Sequence, residues 1–356
     1  INQAIEYFEQ VLEIAKEANA NADLIKSHEH LANIYGDKGD ADKALHHYKE
    51  YVHLKEAIMG DTSSNQMQKM LAVFNVKQAR QVTEIQRLIN TELAQANDEI
   101  QLQKEKILSS IRYAKRIQDS MLSPISALED ELSEVFMIFK PKDIVSGDFY
   151  WFNKVGDDFV MAAIDCTGHG VPGAFMTLMG NSILNNIILT DKITEPSQIL
   201  YELDKRLLKN LASDSSAQSN DGMDKSIVTI NTKAGQIKFS GAKNPLFSVK
   251  DSIGEVTKGS KFPIGSQQFK RPKEFETTLF SIDKKTTYYL YSDGFPDQFG
   301  GEGGNSKFLS KRFRSMLESN SHLPLDKQKE ILENELTQWQ GDTKQTDDIF
   351  VIGFKV

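Results

Sequence analysis

From Gln66 to Met121 the chain contains neither proline nor glycine. Nothing in that stretch interrupts a helix, so it predicts one long helix dividing a segment before it from a segment after it. Val82, Ile89, Leu93, Ala96, Ile100, Ile107, Ala114, Ile117 and Met121 keep a heptad stagger, and Gln86, Gln103 and Ser110 occupy the remaining seam positions. Heptads sustained that far predict a left-handed coiled coil, in which polar seam residues fix register at some cost in stability. The pattern therefore predicts a parallel homodimer through residues 82–121. A long helix packed back on its own domain is the alternative.

At 356 residues the chain exceeds one typical core. The helix implies three parts: residues 1–59, a linker helix over 66–121, and a domain over 122–356, with a break at Gly60-Asp61-Thr62-Ser63-Ser64-Asn65. In the first part, Leu31-Ala32-Asn33-Ile34-Tyr35, Gly39-Asp40, Ala44-Leu45, Tyr48 and Tyr51 resemble the tetratricopeptide pattern, where small residues let two helices approach and aromatics fill the gaps. A 40-residue shift lays Ala4 on Ala44, Ile5 on Leu45 and Phe8 on Tyr48. Ile1-Asn2-Gln3-Ala4 thus begins inside a helical pattern, as in the truncated tail of a repeat array, and does not read as a signal peptide. A generic amphipathic hairpin is the plainer reading.

After Met121 the pattern changes to short alternating apolar runs. Strands are predicted at 134–140, 148–155, 158–165, 225–231, 236–240, 245–250, 286–292 and 348–355, and helices at 172–189, 196–212, 307–319 and 325–339. Aspartates recur at the ends of these runs. Asp148 lies in Val145-Ser146-Gly147-Asp148-Phe149-Tyr150, and Asp165 closes Phe159–Ile164 and opens Cys166-Thr167-Gly168-His169-Gly170. Asp293 follows Tyr288-Tyr289-Leu290-Tyr291-Ser292, and Asp347 and Asp348 precede Ile349-Phe350-Val351-Ile352. One such aspartate is an ordinary turn former. Gathered together they make an oxygen-donor cage of the kind that selects Mg²⁺ or Mn²⁺ over zinc, and two such ions can drive in-line attack of hydroxide on phosphorus.

Val145–Tyr150, Asp165-Cys166-Thr167-Gly168-His169-Gly170-Val171-Pro172-Gly173-Ala174, Ser292-Asp293-Gly294 and Thr346-Asp347-Asp348 resemble, in that order, the motifs of bacterial PPM-type serine/threonine phosphatases, the SpoIIE-like branch. The resemblance runs from about Met121 to Val356. It implies an α+β fold, an α-β-β-α sandwich, here preceded by all-α repeats and the long helix. It implies two Mn²⁺ or Mg²⁺ per site, with Asp165 bridging them and the backbone carbonyl of Cys166 binding one. It places Asp148 on the second ion, directly or through water, and Asp293 and Asp347 on the first. Asp348 matches a second acidic position that need not be a direct ligand. No side-chain nucleophile is implied; a metal-bridging hydroxide would attack. The substrate implied is a phosphorylated regulatory protein, such as an anti-sigma-factor antagonist, with an upstream regulator acting through the repeats.

His169, inside the metal motif, is read as orienting its loop, with acid–base work as the alternative. Lys140 and Lys142 border the first motif and are candidates for meeting substrate phosphate. Gly300-Gly301-Glu302-Gly303-Gly304 reads as a mobile flap, and Ser213–Asn220 as a polar loop. The remaining histidines, His28, His30, His46, His47, His53 and His322, are read as exposed or helix-packing residues remote from the site.

Other readings of the same residues fail locally. Gly168-His169-Gly170-Val171-Pro172-Gly173 spells a dinucleotide-binding turn, but a second helix rather than a parallel strand follows the first. A cysteine phosphatase would need an arginine where Pro172 stands, and an aspartyl-phosphate enzyme an acid where Thr167 stands. A net charge of −8 argues against nucleic-acid binding. One cysteine excludes an internal disulfide and fits a cytoplasmic setting. Phe175–Leu189 is too short and, with Asn181, Asn185 and Asn186, too polar to span a membrane. The reading is a metal-dependent phosphatase. Its competitor is a non-catalytic scaffold that binds partners through the repeats and a silent phosphatase fold.

Overall fold

The computed structural model describes residues 1–59, 62–211, 222–266 and 273–356. It divides into two compact units, Ile1–Lys104 and Glu105–Val356. The division falls within the long helix rather than at its end.

The first unit contains α1 (Asn2–Glu17), α2 (Asn21–Lys38), α3 (Ala41–Met59) and most of α4 (Thr62–Met121). Helix α2 ends at Gly39 in a left-handed conformation, the usual stop signal, and α3 starts two residues on. Leu31, Tyr35 and Ala44 pack with Ile5 and Leu12 of α1, while Tyr48 and Tyr51 pack with Met67 of α4. The small residues Ala32 and Ala44 are buried at these contacts, as the helical pattern requires. Beyond this packing, Val82, Ile89, Leu93, Ile100 and Ile107 of α4 are all more than half exposed. Gly60 and Asp61 of the expected break lie outside the described residues, and α4 begins at Thr62, earlier than Gln66.

In the second unit the end of α4 leads through a short α5 (Ser126–Glu129) into β1 (Glu134–Lys140), β2 (Phe149–Val155) and β3 (Asp158–Cys166). Helices α6 (Gly170–Leu184) and α7 (Pro196–Leu211) follow, and a π-helical turn, Asn185–Thr190, extends α6. Then come β4 (Met223–Asn231), β5 (Gln236–Ala242), β6 (Leu246–Lys250), β7 (Ile253–Thr257), β8 (Thr278–Ser281) and β9 (Thr287–Tyr291). The chain closes with α8 (Gly294–Asp297), a small β10–β11 hairpin (Phe299–Gly300 with Ser306–Lys307), α9 (Ser310–Asn320), α10 (Leu325–Gln340) and β12 (Ile349–Lys355).

Two five-stranded sheets form, ordered β1-β12-β9-β6-β7 and β2-β3-β4-β5-β8. Their named pairings are antiparallel. Strand β3 shows why they stack. Phe159, Met161 and Ala163 face the other sheet, meeting Leu290, Phe350 and Ile352, whereas Val160, Ala162 and Ile164 face α6 and α7. The opposite sheet does the same with Ile349 and Val351 against Phe313, Leu332 and Leu336 of α9 and α10. Period-two alternation that is apolar on both faces forces a layer on each side. The result is helix, sheet, sheet, helix.

Strands β7 and β8 were not expected. Nor was the glycine run a loose flap: it is the turn of the β10–β11 hairpin, with Gly301 N–H donating to Trp339 O at 2.8 Å. Ser213–Asn220 lies outside the described residues. The asparagines of α6 have a local purpose, since Trp151 Nε1–H donates to Asn185 Oδ1 at 2.8 Å and Asn181 Nδ2–H to Met121 O at 2.7 Å. No helix among the described residues is long and apolar enough to cross a membrane.

Candidate active site

The first strands of the two sheets are joined by residues 141–148, and this crossing carries Asp148. It is held from three sides. Gln118, buried near the end of α4, donates to Ser146 O at 2.7 Å and accepts from Ser146 N–H at 3.1 Å. Thr177 Oγ1 of α6 donates to Gly147 O at 3.0 Å. Asp348, only 2 % exposed, accepts from the N–H groups of Lys142 (2.7 Å), Gly147 (2.7 Å) and Asp148 (3.3 Å). Two glycines allow the close fit: a Cβ on Gly147 or Gly173 would lie 2.4 or 2.3 Å from Gly168 O, so neither position tolerates a side chain.

The other carboxylates arrive at the same end of the sandwich. Asp165 sits at the end of β3, opposite Asp224 at the start of β4, and mutual Thr167–Gly222 hydrogen bonds of 3.0 and 2.9 Å tie these two strand ends. Asp293 follows β9 and Asp347 precedes β12, neighbouring strands joined here by Ser292 N–H to Phe350 O at 3.0 Å. Asp165, Cys166, Asp224, Asp293 and Asp347 line one pocket, with Thr167, Gly168, Gly222, Lys243, Pro263 and Ser266.

Burial and crowding make this pocket electrostatically unfavourable. The Asp148 carboxyl is raised well above the usual range, by burial first and the Asp165 charge second. Asp165 is raised likewise, by burial and then by Asp293, Asp224 and Asp347. Asp224 and Asp293 are raised too, again chiefly by burial. Asp148 Oδ2 is buried without a hydrogen-bond partner among the described residues. Crowded hard oxygens and an orphaned carboxylate oxygen are the donor chemistry of a divalent cation site. Among the described residues no three His, Cys, Asp or Glu side chains converge tightly enough to cage an ion alone. The donors fit the group; they stand along the pocket walls rather than in a closed cage.

Each expected residue can now be placed. Asp165, Cys166, Asp293 and Asp347 come together on the pocket wall. Asp148 is buried and feels the Asp165 charge without lining the pocket. Asp348 is an anchor whose oxygens are taken up by backbone N–H groups. His169 is exposed on the outside, its Nδ1 2.6 Å from Asp143 Oδ2, a loop contact. Lys142 meets the site through its backbone N–H, and Lys140 Nζ lies 3.9 Å from Glu333, so neither lysine lines the pocket. Burial pushes the Cys166 thiol up, with nearby Lys225 opposing, so the neutral thiol is favoured over the thiolate. His28 and His47 are helix-packing residues whose Nδ1 atoms lie 3.0 Å apart.

Asp224 and Lys243 were missed. Asp224 carries a signal, an aspartate at a strand end, but the strand predicted over 225–231 starts one residue after it, whereas β4 runs from Met223 to Asn231. Lys243 had none.

The family model described as Stage II sporulation protein E (SpoIIE) matches residues 156–356. The chain belongs to the SpoIIE family. Its second unit carries a SpoIIE-type PP2C phosphatase domain, a class of metal-dependent enzymes. The SiaA-PP2C domain of Pseudomonas aeruginosa is 33 % identical, over 71 % of this chain and 98 % of that one, with a TM-score of 0.64. The phosphoserine phosphatase RsbU of Bacillus subtilis (strain 168) is 25 % identical over 194 residues, 54 % of each chain. This SpoIIE-family chain therefore spans about half the length of that curated relative. The PP2C phosphatase domain of the cell fate determinant SpoIIE from Bacillus subtilis, solved with a fragment of its regulatory domain, aligns over 63 % of each chain with a TM-score of 0.50. At 17 % identity that likeness is one of fold.

Proposed function

We propose that this chain hydrolyses phosphoserine or phosphothreonine on a regulatory protein of the cytoplasm, such as an anti-sigma-factor antagonist. Two Mn²⁺ or Mg²⁺ would be held by Asp148, Asp165, Asp293, Asp347 and the Cys166 carbonyl, with Asp165 between them. The observation that carries this reading is the crowding of Asp165, Asp224, Asp293 and Asp347 around one pocket. Bound cations would relieve that repulsion, lower the pKa of water and neutralise charge on the phosphoryl group. The chain's own part is positioning. Asp348, Gln118 and Thr177 hold the Asp148 loop, and Ser292 and Thr167 hold the strand ends that bear the other carboxylates.

The helical unit would be the input. Its packed helices support the tetratricopeptide reading and with it an upstream regulator, and the exposed apolar seam of α4 supports a parallel homodimer through residues 82–121.

Release of phosphate from a phosphoserine peptide, dependent on added Mn²⁺ or Mg²⁺, tests the activity. Asp165→Asn should abolish both turnover and the calorimetric metal titration while the fold persists. A titration unchanged in that variant would refute the assignment of Asp165.

A further inference from the structure

The pocket presents four carboxylates, and a phosphomonoester carries a charge of about −1.5 to −2 at neutral pH. Such a substrate needs positive charge beyond what neutralises the walls. Lys243 is the one cationic side chain among the described residues that line this pocket. Its Nζ lies 3.5 Å from Asp224 Oδ2, and the side chain is about half exposed.

Stability does not explain why a lysine stands there. Lys243 has φ +65°, left-handed backbone that glycine adopts freely and other residues only under strain. A half-exposed ion pair at 3.5 Å contributes little in return. The turn is nonetheless rigidly built. Lys243 N–H donates to Ser260 O at 2.8 Å, Ser260 N–H to Gly241 O at 2.7 Å, and Ser226 Oγ to Asn244 O at 3.2 Å. Gly241 and Gly259 touch backbone to backbone: a Cβ on Gly259 would lie 2.7 Å from Gly241 C. Strain maintained by a rigid frame is found where side-chain position matters more than local stability. The frame aims Lys243 at Asp224, and Asp224 is the cross-strand partner of Asp165.

We propose that Lys243 is a catalytic residue that binds a phosphoryl oxygen of the substrate, and that Asp224 is the positioning residue that holds its ammonium over the pocket. The proposal rests on the phosphatase reading above. It replaces Lys140 and Lys142, neither of which lines the pocket, as the phosphate contact. A lysine suits the task because its compact ammonium is a point charge on a flexible stem and can follow the phosphoryl group.

The test uses the full chain with Mn²⁺, a phosphoserine peptide, p-nitrophenyl phosphate and inorganic phosphate as inhibitor. Lys243→Met should raise KM for the peptide and Ki for inorganic phosphate at least ten-fold, with Mn²⁺ titration unchanged. Lys243→Gly relieves the backbone strain, so it should melt no lower than wild type and still lose the same phosphate affinity. Lys243→Arg should recover part of it, and Asp224→Asn should give a smaller rise in both constants. A wild-type chain that turns over neither substrate overturns the underlying reading. A wild type that turns over both, with KM and Ki of the Met and Gly variants within two-fold of it, overturns the role of Lys243 alone.

Discussion

Asp347 lines the pocket while the adjacent Asp348 accepts backbone N–H bonds beneath the Asp148 loop, and replacing each with asparagine tests whether they have different tasks. Asp348 Oδ1 serves Lys142 N–H, and Oδ2 serves Gly147 and Asp148 N–H. In Asp348→Asn the amide must turn its NH₂ toward one of these donors, so at least one short bond is replaced by two opposed N–H groups. The remaining bonds lose their charged acceptor. Hydrogen bonds to charged groups contribute about 1.5–3 kcal/mol each. Removing one carboxylate also relieves some repulsion on Asp148, to which Asp348 contributes. The net expectation is a loss of about 2–4 kcal/mol, or roughly 5–15 °C in Tm for a unit of this size. Asp347 is exposed, so Asp347→Asn should change stability by about 0.5 kcal/mol or less while weakening metal binding. Thermal melts in EDTA, followed by calorimetric Mn²⁺ titration, read the two quantities separately. A variant Asp348→Asn that melts with wild type yet binds metal as poorly as Asp347→Asn would refute the anchor and make Asp348 a ligand.

Saturating Mn²⁺, at about a hundred times its Kd, should raise stability by about 2.7 kcal/mol for each ion bound over EDTA-treated protein; equal melting in both conditions would contradict a cation site in the pocket. Burial, and then the His47 charge, hold His28 at about 4 against the ordinary 6.5. Between those values the unfolded chain binds more protons, so the helical unit should lose up to about 3 kcal/mol as pH falls from 6.5 towards 4. Circular dichroism melts with no slope in that window would remove His28 from the account. Gln118→Ala strands the Ser146 N–H, and should lower kcat about ten-fold or more by loosening the Asp148 loop, with helicity intact; unchanged kcat and Tm would show that the contact positions nothing. Paired Ile100→Asp and Ile107→Asp substitutions should give monomers by light scattering with altered turnover. Monomers with wild-type turnover would uncouple the seam from catalysis.

The parts of the fold legible in the sequence are those that one face of one element decides. The long helix followed from absent prolines and glycines, and β1 and β3 from alternation that stays apolar on both faces. The π-helical turn at Asn185–Thr190 was not legible, because its asparagine contact, Trp151, lies on another element. Strands β7 and β8 are edge strands, each paired on one side only, so their residues remain half exposed and carry weak alternation. The same limit applies at the site. Aspartates at strand ends announced the pocket, but only cross-strand register puts Asp224 opposite Asp165, and only packing separates Asp347 from Asp348. Lys243 sits in an Ala-Lys-Asn turn with no glycine at the left-handed position, so nothing local marks it.

The way the carboxylates are held bears on what they can bind. The Asp148 loop is fixed by neutral groups, Gln118, Thr177 and backbone amides, and by an inner carboxylate, Asp348, whose oxygens are already occupied. Had arginines or lysines gathered these loops, their charges would have lowered the carboxylate pKa values and competed with an entering cation. The chain contains 42 lysines and arginines, yet among the described residues only Lys243 reaches the pocket wall. The hydrogen-bonded loop therefore holds Asp148 near Asp165 although burial disfavours both charges. A site assembled that way favours protonated carboxyls, and arriving divalent ions displace those protons. Lys243, the one cation on the pocket wall among the described residues and too weakly paired to neutralise it, remains available to the phosphate that those ions attract.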